Sequence, residues 1–237
     1  MIKKVVISAA GKGTRMKELT KDVPKHLIEI NGKPFIYYLL KRLEEAGFQQ
    51  MFLVVGYKKE AFREFINKYP FNLKVIDQEE ICGSNYGTAM PIKAAESFIG
   101  QENFVAVAGD CLYSVRDLEK FNIDDNLNYI GGLKTPQTQG MGVLIVEGNN
   151  NLKDMVEKPT EFISDIINAS LYKFTPEIFR AIDRIDLSPR GEFEITDAIR
   201  LLAKNKKVKI VQIEDFWLDF GRAEDIEKLS KYLQNNV

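Results

Sequence analysis

Residues 5–15 of the chain read VVISAAGKGTR, an apolar run followed by a turn with two glycines and an arginine. The β-branched residues at its start predict a buried strand. Gly11 and Gly13 allow the backbone after that strand to turn tightly and to bring its N–H groups close to a ligand. Because doubly wound sheets bind ligands beyond the carboxyl ends of their strands, this turn is a candidate phosphate-binding loop, with Arg15 and Lys25 as its cations.

The loop lacks two familiar phosphate-binding signatures. A dinucleotide-binding G-x-G-x-x-G would need a third glycine where Met16 stands, and no G-K-[ST] closes the loop as in a Walker A sequence. The residues alone therefore leave two interpretations open. The loop either holds phosphate or is a tight turn that carries two solvated cations.

Length and composition narrow the class of protein. The chain has 237 residues, of which 45% are hydrophobic and 28% charged, enough for a core and a polar surface. The formal net charge of −1 argues against electrostatic attraction to nucleic acid or an anionic membrane. Cys82 and Cys111 are too few for a disulfide framework, and neither a signal-peptide pattern nor an apolar run of membrane-spanning length occurs. We therefore expect a cytoplasmic protein whose partners include no nucleic acid and no membrane.

The first half of the chain alternates short apolar runs with stretches of helical periodicity. The predicted strands are 5–8, 51–55, 74–76 and 104–108, and the predicted helices are 35–46, 61–67 and 89–98. Strands that alternate with helices through short links are typical of a mostly parallel sheet covered on both faces. Residues 1–112 are therefore predicted to form a doubly wound half.

The second half has a different pattern. The predicted strands are 128–133, 142–147, 171–174 and 208–213, and the predicted helices are 176–182, 194–203 and 222–233. No long helix separates the first two strands, and the turn cluster EGNNN at 147–151 predicts a hairpin. We predict a single domain over 1–237, of the α/β class, with a Rossmann-like mixed sheet flanked by helices.

Several short motifs occur in one order along almost the whole chain. Residues 9–34 read AAGKGTRMKELTKDVPKHLIEINGKP. They are followed by GTA at 87–89, AGD at 108–110, GMGV at 140–143, VEKP at 156–159, NASLYKF at 168–174, GEFEITDAI at 191–199 and WLDFG at 217–221. This series resembles the sugar-1-phosphate nucleotidylyltransferases, and in particular the glucose-1-phosphate uridylyl- and thymidylyltransferases.

The resemblance implies a nucleotide-diphospho-sugar transferase fold and a reaction. Residues 1–112 would bind the nucleotide and residues 113–237 the sugar phosphate. A sugar 1-phosphate, with glucose 1-phosphate favoured, would attack the α-phosphorus of a nucleoside triphosphate, with UTP or dTTP favoured, and pyrophosphate would leave. Such a reaction depends on in-line positioning and on neutralising phosphate charge. A homo-oligomer is possible, and the chain is expected to be a catalytic core without the C-terminal β-helix of some relatives.

The resemblance also implies site residues. Arg15, Lys25 and Asp110 would be catalytic, and Asp110 and Asp219 would bind Mg²⁺, the expected cofactor. The nucleotide would lie against Ala9, Ala10, Gly11, Gly13, Thr14, Gln78, Gly87 and Thr88. The sugar phosphate would lie against Gly142, Glu157, Lys158 and Asn168.

Simpler roles for some of these residues stay open. Asp110 could be an ordinary turn aspartate, and Asp219 the N-cap of the helix predicted at 222–233. His26 is expected on the surface or behind the reacting groups rather than in catalysis. Glu192 and Asp197 are expected to help start the helix predicted at 194–203.

Three alternative functions also stay open. The chain has Glu18 where many relatives have proline, and its MKELT also resembles the phosphocholine cytidylyltransferases of the same fold. A catalytically inactive regulatory relative would be expected to lose a cation or a carboxylate, which this chain retains. Glycosyltransferases that consume NDP-sugars usually carry D-x-D, whereas Asp110 is followed by Cys111 and Leu112.

Overall fold

The computed structural model describes residues 1–236, with the side chains of residues 17 and 236 left out. Its strands are β1 (Lys4–Ala9), β2 (Glu29–Ile30), β3 (Lys33–Pro34), β4 (Gln50–Val55), β5 (Leu73–Asp77), β6 (Phe104–Ala108), β7 (Cys111–Tyr113), β8 (Asn128–Lys134), β9 (Gly142–Glu147), β10 (Asn151–Glu157), β11 (Ile166–Phe174), β12 (Val208–Gln212) and β13 (Trp217–Asp219). Its α-helices are α1 (Phe35–Glu45), α2 (Phe62–Lys68), α3 (Gln78–Cys82), α4 (Met90–Ala94), α5 (Glu96–Ile99), α6 (Val115–Glu119), α7 (Glu177–Ile182), α8 (Ile195–Ala203) and α9 (Asp225–Asn236).

Nine of these strands form one mixed sheet in the order β5-β4-β1-β6-β11-β8-β12-β10-β9. The strands β5, β4, β1 and β6 are mutually parallel. Beyond them, β11 is antiparallel to both β6 and β8, whereas β12 runs parallel to β8. The predicted α/β fold with a Rossmann-like mixed sheet is therefore confirmed, and the sheet runs through both halves of the chain.

Both faces of the sheet are buried, as the apolar character of its strands requires. Successive side chains of β1 point to opposite faces, so Val5 and Ile7 join one core and Val6 joins the other. The apolar face of α1 covers the first core and that of α8 covers the second. The amphipathic spacing of these two helices is what holds them against the sheet.

Strand register brings two motifs together at one edge of the sheet. Ser8 of β1 pairs with Ala108 of β6, so the glycine loop after β1 and Asp110 after β6 leave the sheet side by side. A separate two-stranded sheet pairs β7 with β13 and places Asp219 opposite Cys111. Residues far apart in the sequence thus meet beyond the carboxyl ends of the parallel strands, where such sheets bind ligands.

The structure differs from the predicted elements in several places. The helix predicted at 89–98 is two helices, because the N–H of Ala95 donates to the carbonyl of Ile92, three residues back, which tightens the turn between α4 and α5. The helix predicted at 222–233 begins at Asp225 and runs to Asn236. The sequence did not predict β7 and β13, since three residues are too few to show a period of two. No helix among the described residues is long and apolar enough to cross a membrane.

Candidate active site

A cavity of 360 Å³ opens beyond the carboxyl ends of β1 and β6. Residues from every motif in the series contribute to its wall. Of the predicted site residues, the following line it: Ala10, Gly11, Arg15, Lys25, Gln78, Gly87, Thr88, Asp110, Gly142, Glu157, Lys158, Asn168 and Asp219. Ala9, Gly13 and Thr14 do not; Ala9 is part of the core, only 1% exposed, and Thr14 is exposed.

Gly13 shapes the loop from behind the cavity. Its φ of 62° lies in the left-handed region, and it precedes a 3-10 turn at Thr14–Thr20. A Cβ atom at this position would lie 3.2 Å from Cγ2 of Thr20 and 3.5 Å from Cβ of Lys25. The glycine therefore lets the loop fold closely over the segment that carries Lys25.

Lys25 and Asp110 form an ion pair at the base of the cavity. The ammonium of Lys25 donates a hydrogen bond to Oδ2 of Asp110, and the two side chains are 10% and 20% exposed. Burial by itself would raise the pKa of Asp110, but the charge of Lys25, its hydrogen bond and the further favourable contacts together outweigh burial and lower that pKa. Asp110 is thus an ionised carboxylate at neutral pH and not merely a turn residue.

Asp219 completes a pair of carboxylates. One ligand atom from each of Asp110, Cys111 and Asp219 lies within 4.8 Å of the others. Burial, followed by the charge of Asp110, raises the pKa of Asp219 to about 6, against the opposing charges of Lys25 and Arg15. Two neighbouring carboxylates that disfavour each other's ionisation are the arrangement that a bound cation stabilises.

The donor set suits Mg²⁺. Magnesium prefers carboxylate and phosphate oxygens. The third group nearby, the thiol of Cys111, has a pKa well above its ordinary value because of burial and the adjacent aspartates, so it stays protonated. The helix that follows Asp219 begins only at Asp225, too far along the chain for Asp219 to be its N-cap. Helix capping therefore does not account for Asp219.

His26 lies inside the protein, so the alternative of a surface position is wrong. It is 1% exposed and borders the cavity next to Lys25. Burial and then the charge of Lys25 lower its pKa to about 3, which keeps the imidazole neutral. Its Nδ1 atom has no hydrogen-bond partner among the described residues.

Gln78 begins α3 with its amide buried at the cavity. The side chain is 6% exposed, and its Oε1 atom has no hydrogen-bond partner among the described residues. The preceding Asp77 caps the helix by accepting from the N–H groups of Glu79 and Glu80, at 3.0 and 3.3 Å. An unpaired buried amide oxygen is costly unless a ligand supplies a donor.

The loop at residues 86–89 is fixed against residues 193–195. Gly87 has a φ of 130°, and a Cβ atom there would lie 2.3 Å from the carbonyl oxygen of Phe193. Phe193 also donates from its N–H to the carbonyl of Tyr86 and accepts from the N–H of Ala89, both at 2.9 Å. Only glycine permits this approach of two backbones.

Three of the predicted sugar-side residues lie on neighbouring strands, and Lys158 directly follows β10. Gly142 of β9 pairs with Glu157 of β10, and a Cβ atom on Gly142 would lie 3.1 Å from Oε2 of Glu157. Asn168 of β11 donates to the hydroxyl of Tyr172 at 2.7 Å and accepts from the N–H of Ser170 at 2.9 Å. Burial raises the pKa of Glu157, opposed by the nearby cations.

Three groups near this cavity are not among the site residues that the sequence predicted. Arg190 lies 3.7 Å from Oε1 of Glu157, closer than Lys158 at 3.8 Å. Trp217 borders the cavity and donates its indole N–H to the carbonyl of Ala169 at 3.0 Å. Glu194 is buried, only 4% exposed, and accepts hydrogen bonds from Thr88 and Arg190. Of the two residues expected to support α8, Glu192 borders the cavity and Asp197 pairs with Arg200 at 3.6 Å. For Arg190, the one signal in the sequence that it belongs to the site is its position directly before the GEFEITDAI motif.

Comparison with known proteins identifies the family. The family described as nucleotidyl transferase matches residues 4–236, and the chain belongs to it. The chain is 34% identical over 232 residues to the bifunctional protein GlmU of Methanocaldococcus jannaschii. The aligned region covers 98% of this chain and 54% of that protein. It is 30% identical over 240 residues to the UTP–glucose-1-phosphate uridylyltransferase AglF of Haloferax volcanii, covering 98% of this chain and 97% of the relative.

A solved structure gives the same result. The crystal structure of a UDP-glucose pyrophosphorylase complexed with UDP-glucose matches all of this chain and all of that one, with a TM-score of 0.87 and 26% identity. The chain spans about half the length, 54%, of the GlmU relative. The family expected from the series of motifs is thus confirmed.

Proposed function

We propose that this chain transfers a nucleotidyl group from a pyrimidine nucleoside triphosphate, UTP or dTTP, to a sugar 1-phosphate, glucose 1-phosphate being favoured. The products are an NDP-sugar and pyrophosphate. An oxygen of the sugar phosphate attacks the α-phosphorus as the bond to the bridging oxygen of the β-phosphate breaks. That oxygen leaves on pyrophosphate with the electron pair, so the reaction needs no redox partner.

One observation carries this proposal. A single cavity is lined by two cations, two clustered carboxylates, a buried unpaired amide and the sugar-side residues of three strands. An enzyme that joins two phosphorylated substrates needs these groups around one space, because the two anions must approach each other closely.

Arg15 and Lys25 are assigned to the phosphates. Arg15 is exposed at the mouth of the cavity, where its planar guanidinium can hold the departing phosphates. Lys25 lies deeper and is held by Asp110, which fixes the position of its ammonium. Charge neutralisation by preorganised cations lowers the barrier because it costs no rearrangement during the reaction.

Asp110 and Asp219 are assigned to Mg²⁺. When bound, the ion would neutralise phosphate charge and polarise the α-phosphoryl group. The residues themselves supply its binding site: Asp110 from the end of β6 and Asp219 from β13, which the β7–β13 pairing holds beside it.

Gln78 and the loop at Gly87 and Thr88 are assigned to the nucleobase. The unpaired Oε1 atom of Gln78 can accept from the edge of a base. On the sugar side, Glu157 and Asn168 present hydrogen-bonding groups to hydroxyls, and Lys158 presents a cation to the phosphate. The uridylyltransferase relative, which this chain matches over 97% of its length, supports UTP and glucose 1-phosphate as the first pair to test.

The test is pyrophosphate release with Mg²⁺ over a grid of substrates. The nucleoside triphosphates are UTP, dTTP, CTP, GTP and ATP. Each is paired with the 1-phosphates of glucose, N-acetylglucosamine, galactose and mannose. Phosphocholine is included as a further acceptor. Release with UTP or dTTP and one sugar phosphate supports the proposal and names the substrates.

Two other outcomes contradict it. Release only with CTP and phosphocholine would make the chain a phosphocholine cytidylyltransferase and would overturn the sugar-side assignments. No release from folded protein over the whole grid would favour an inactive regulatory relative.

A further inference from the structure

Helix α8 begins in an unusual way. Glu194 occupies the N-cap position, yet its side chain makes no capping hydrogen bond. The N–H of Ile195 donates instead to Oγ1 of Thr88 at 2.9 Å, so a residue from the nucleobase loop caps this helix. Serine, threonine, aspartate or asparagine would be the ordinary choice for the cap itself.

The carboxylate of Glu194 is directed away from its helix and is buried. The residue is only 4% exposed. Oε2 accepts from the hydroxyl of Thr88 at 3.2 Å. Oε1 accepts from Nη2 of Arg190 at 2.6 Å and from the hydroxyl of Ser188 at 3.2 Å. Burying a carboxylate is costly unless it is paired and hydrogen-bonded, and capping does not explain why the chain accepts that cost here.

Arg190 continues the series of contacts to the sugar side. The same Nη2 atom that Glu194 holds lies 3.7 Å from Oε1 of Glu157, too far for a hydrogen bond. The guanidinium of Arg190 thus faces two carboxylates and is hydrogen-bonded to that of Glu194, which also contacts Thr88. When Glu194 binds Arg190 more tightly, the carboxylate of Glu157 is freer to accept a hydrogen bond from a substrate hydroxyl. When Glu194 binds Arg190 less tightly, Glu157 is less free to do so.

We propose that Glu194 is a positioning residue that couples the two substrate sites. It ties Thr88, on the nucleobase side, to Arg190, which controls the charge next to Glu157 on the sugar side. The inference rests on the proposed function, since it assigns the two ends of this chain of contacts to the two substrates. Coupling of this kind is reciprocal: each substrate changes the affinity for the other by the same factor.

The test measures that factor directly. Calorimetry gives the affinity of the protein for glucose 1-phosphate, alone and with a saturating α,β-methylene analogue of the pyrimidine triphosphate that supports turnover. In the unsubstituted protein we expect the analogue to change the affinity by about tenfold. Glu194→Gln retains an acceptor for Thr88 but loses the charged hold on Arg190, and Thr88→Val removes the hydroxyl. Each should reduce the factor to within about twofold.

Two variants separate coupling from stability. Thr88→Ser restores the hydroxyl and should restore the factor. Asp197→Asn changes a carboxylate on the same helix that pairs with Arg200, outside this series of contacts, and should leave the factor unchanged. Circular dichroism and Tm establish that each variant is folded.

A second measurement needs no ligand. If Glu194 connects Thr88 to Arg190, the loss of Tm in the double variant Thr88→Val with Arg190→Gln should be smaller than the sum of the two single losses. Additive losses would contradict the connection.

The outcomes distinguish this inference from the function on which it rests. No pyrophosphate release over the substrate grid overturns both. Turnover with a factor near one in the unsubstituted protein, or with an unchanged factor in Glu194→Gln, overturns the coupling alone.

Discussion

The ammonium of Lys25 is hydrogen-bonded to the carboxylate of Asp110, 85 residues away in the sequence. This pair stands at the boundary between the proposed phosphate and metal sites, and each member keeps the other in place. A ligand atom of Asp219 lies within 4.8 Å of one from Asp110, so one ammonium and two carboxylates meet at the base of the cavity.

Replacing Lys25 by alanine should lower kcat/KM by about 10²-fold or more. The substitution removes a fixed cation from the reacting phosphates and leaves Asp110 and Asp219 with less compensation for their charges. Steady-state pyrophosphate release measures the loss. Lys228→Ala, an exposed lysine of α9, is the matched control and should change kcat/KM little. An effect of Lys25→Ala within about threefold would reduce Lys25 to a structural partner of Asp110.

Replacing Asp110 by alanine, or Asp219 by asparagine, should abolish Mg²⁺-dependent turnover while circular dichroism stays unchanged. Each substitution removes one of the two carboxylates that would bind the cation. In the unsubstituted protein a chelator should stop turnover, and added Mg²⁺ should restore it. Asp186→Asn, an exposed aspartate outside the cavity, is the control. A fully active Asp110→Ala variant would rule out the metal assignment.

The local elements of the fold followed from the sequence where periodicity is strong. The apolar run of β1 and the helical spacing of α1 predicted both elements within about two residues of their ends. The motif order predicted which residues line the cavity, and most of them do. These features depend on residues close together in the chain.

The remaining features depend on contacts that no local pattern contains. Thr88 and Glu194 are 106 residues apart, and the three-residue strands β7 and β13 are recognisable only through their pairing. The burial of His26, whose ring lies near that of Phe62, does not follow from the local sequence for the same reason. A charged or polar side chain in a short motif does not reveal whether its neighbours in space are water or protein.

Gly87→Ala should destabilise the protein by about 2 kcal/mol or more and weaken nucleotide binding. The new Cβ atom would lie 2.3 Å from the carbonyl oxygen of Phe193, and the φ of 130° is strained for alanine. Because two backbones meet there, relief requires the loop to move away from residues 193–195. Urea unfolding measures the stability, and calorimetry with UTP in the absence of acceptor measures the binding.

The control for this glycine is Gly148→Ala. Gly148 has open space around its Cα atom and no left-handed φ, so alanine should be tolerated there with a change within about 0.5 kcal/mol. Equal effects of the two substitutions would show that the close approach of Gly87 to Phe193 is not what fixes the loop.

Asp117 connects the fold to the proposed metal site. Its buried carboxylate accepts from the N–H groups of Glu214 and Asp215, at 3.1 and 3.0 Å, and from the ammonium of Lys120 at 2.8 Å. These bonds fix the segment that leads into β13 and therefore into Asp219. Burial alone would raise the pKa of Asp117, but the hydrogen bonds from Lys120 and from the backbone lower it.

Asp117→Asn should therefore cost about 2 kcal/mol of unfolding free energy at pH 7, because an amide replaces a carboxylate that accepts three hydrogen bonds. Since the pKa is lowered in the folded state, this stabilisation is complete above the ordinary aspartate value of about 3.9 and is lost as the pH falls through the folded-state pKa. Urea unfolding at pH 7 and at stepwise lower pH should show the two proteins converging in acid. Asp215→Asn, which removes only a half-exposed partner of Arg116, should cost about 0.5 kcal/mol or less. A difference between Asp117→Asn and the unsubstituted protein that persists unchanged into acid would show that the charge of Asp117 is not what holds the segment.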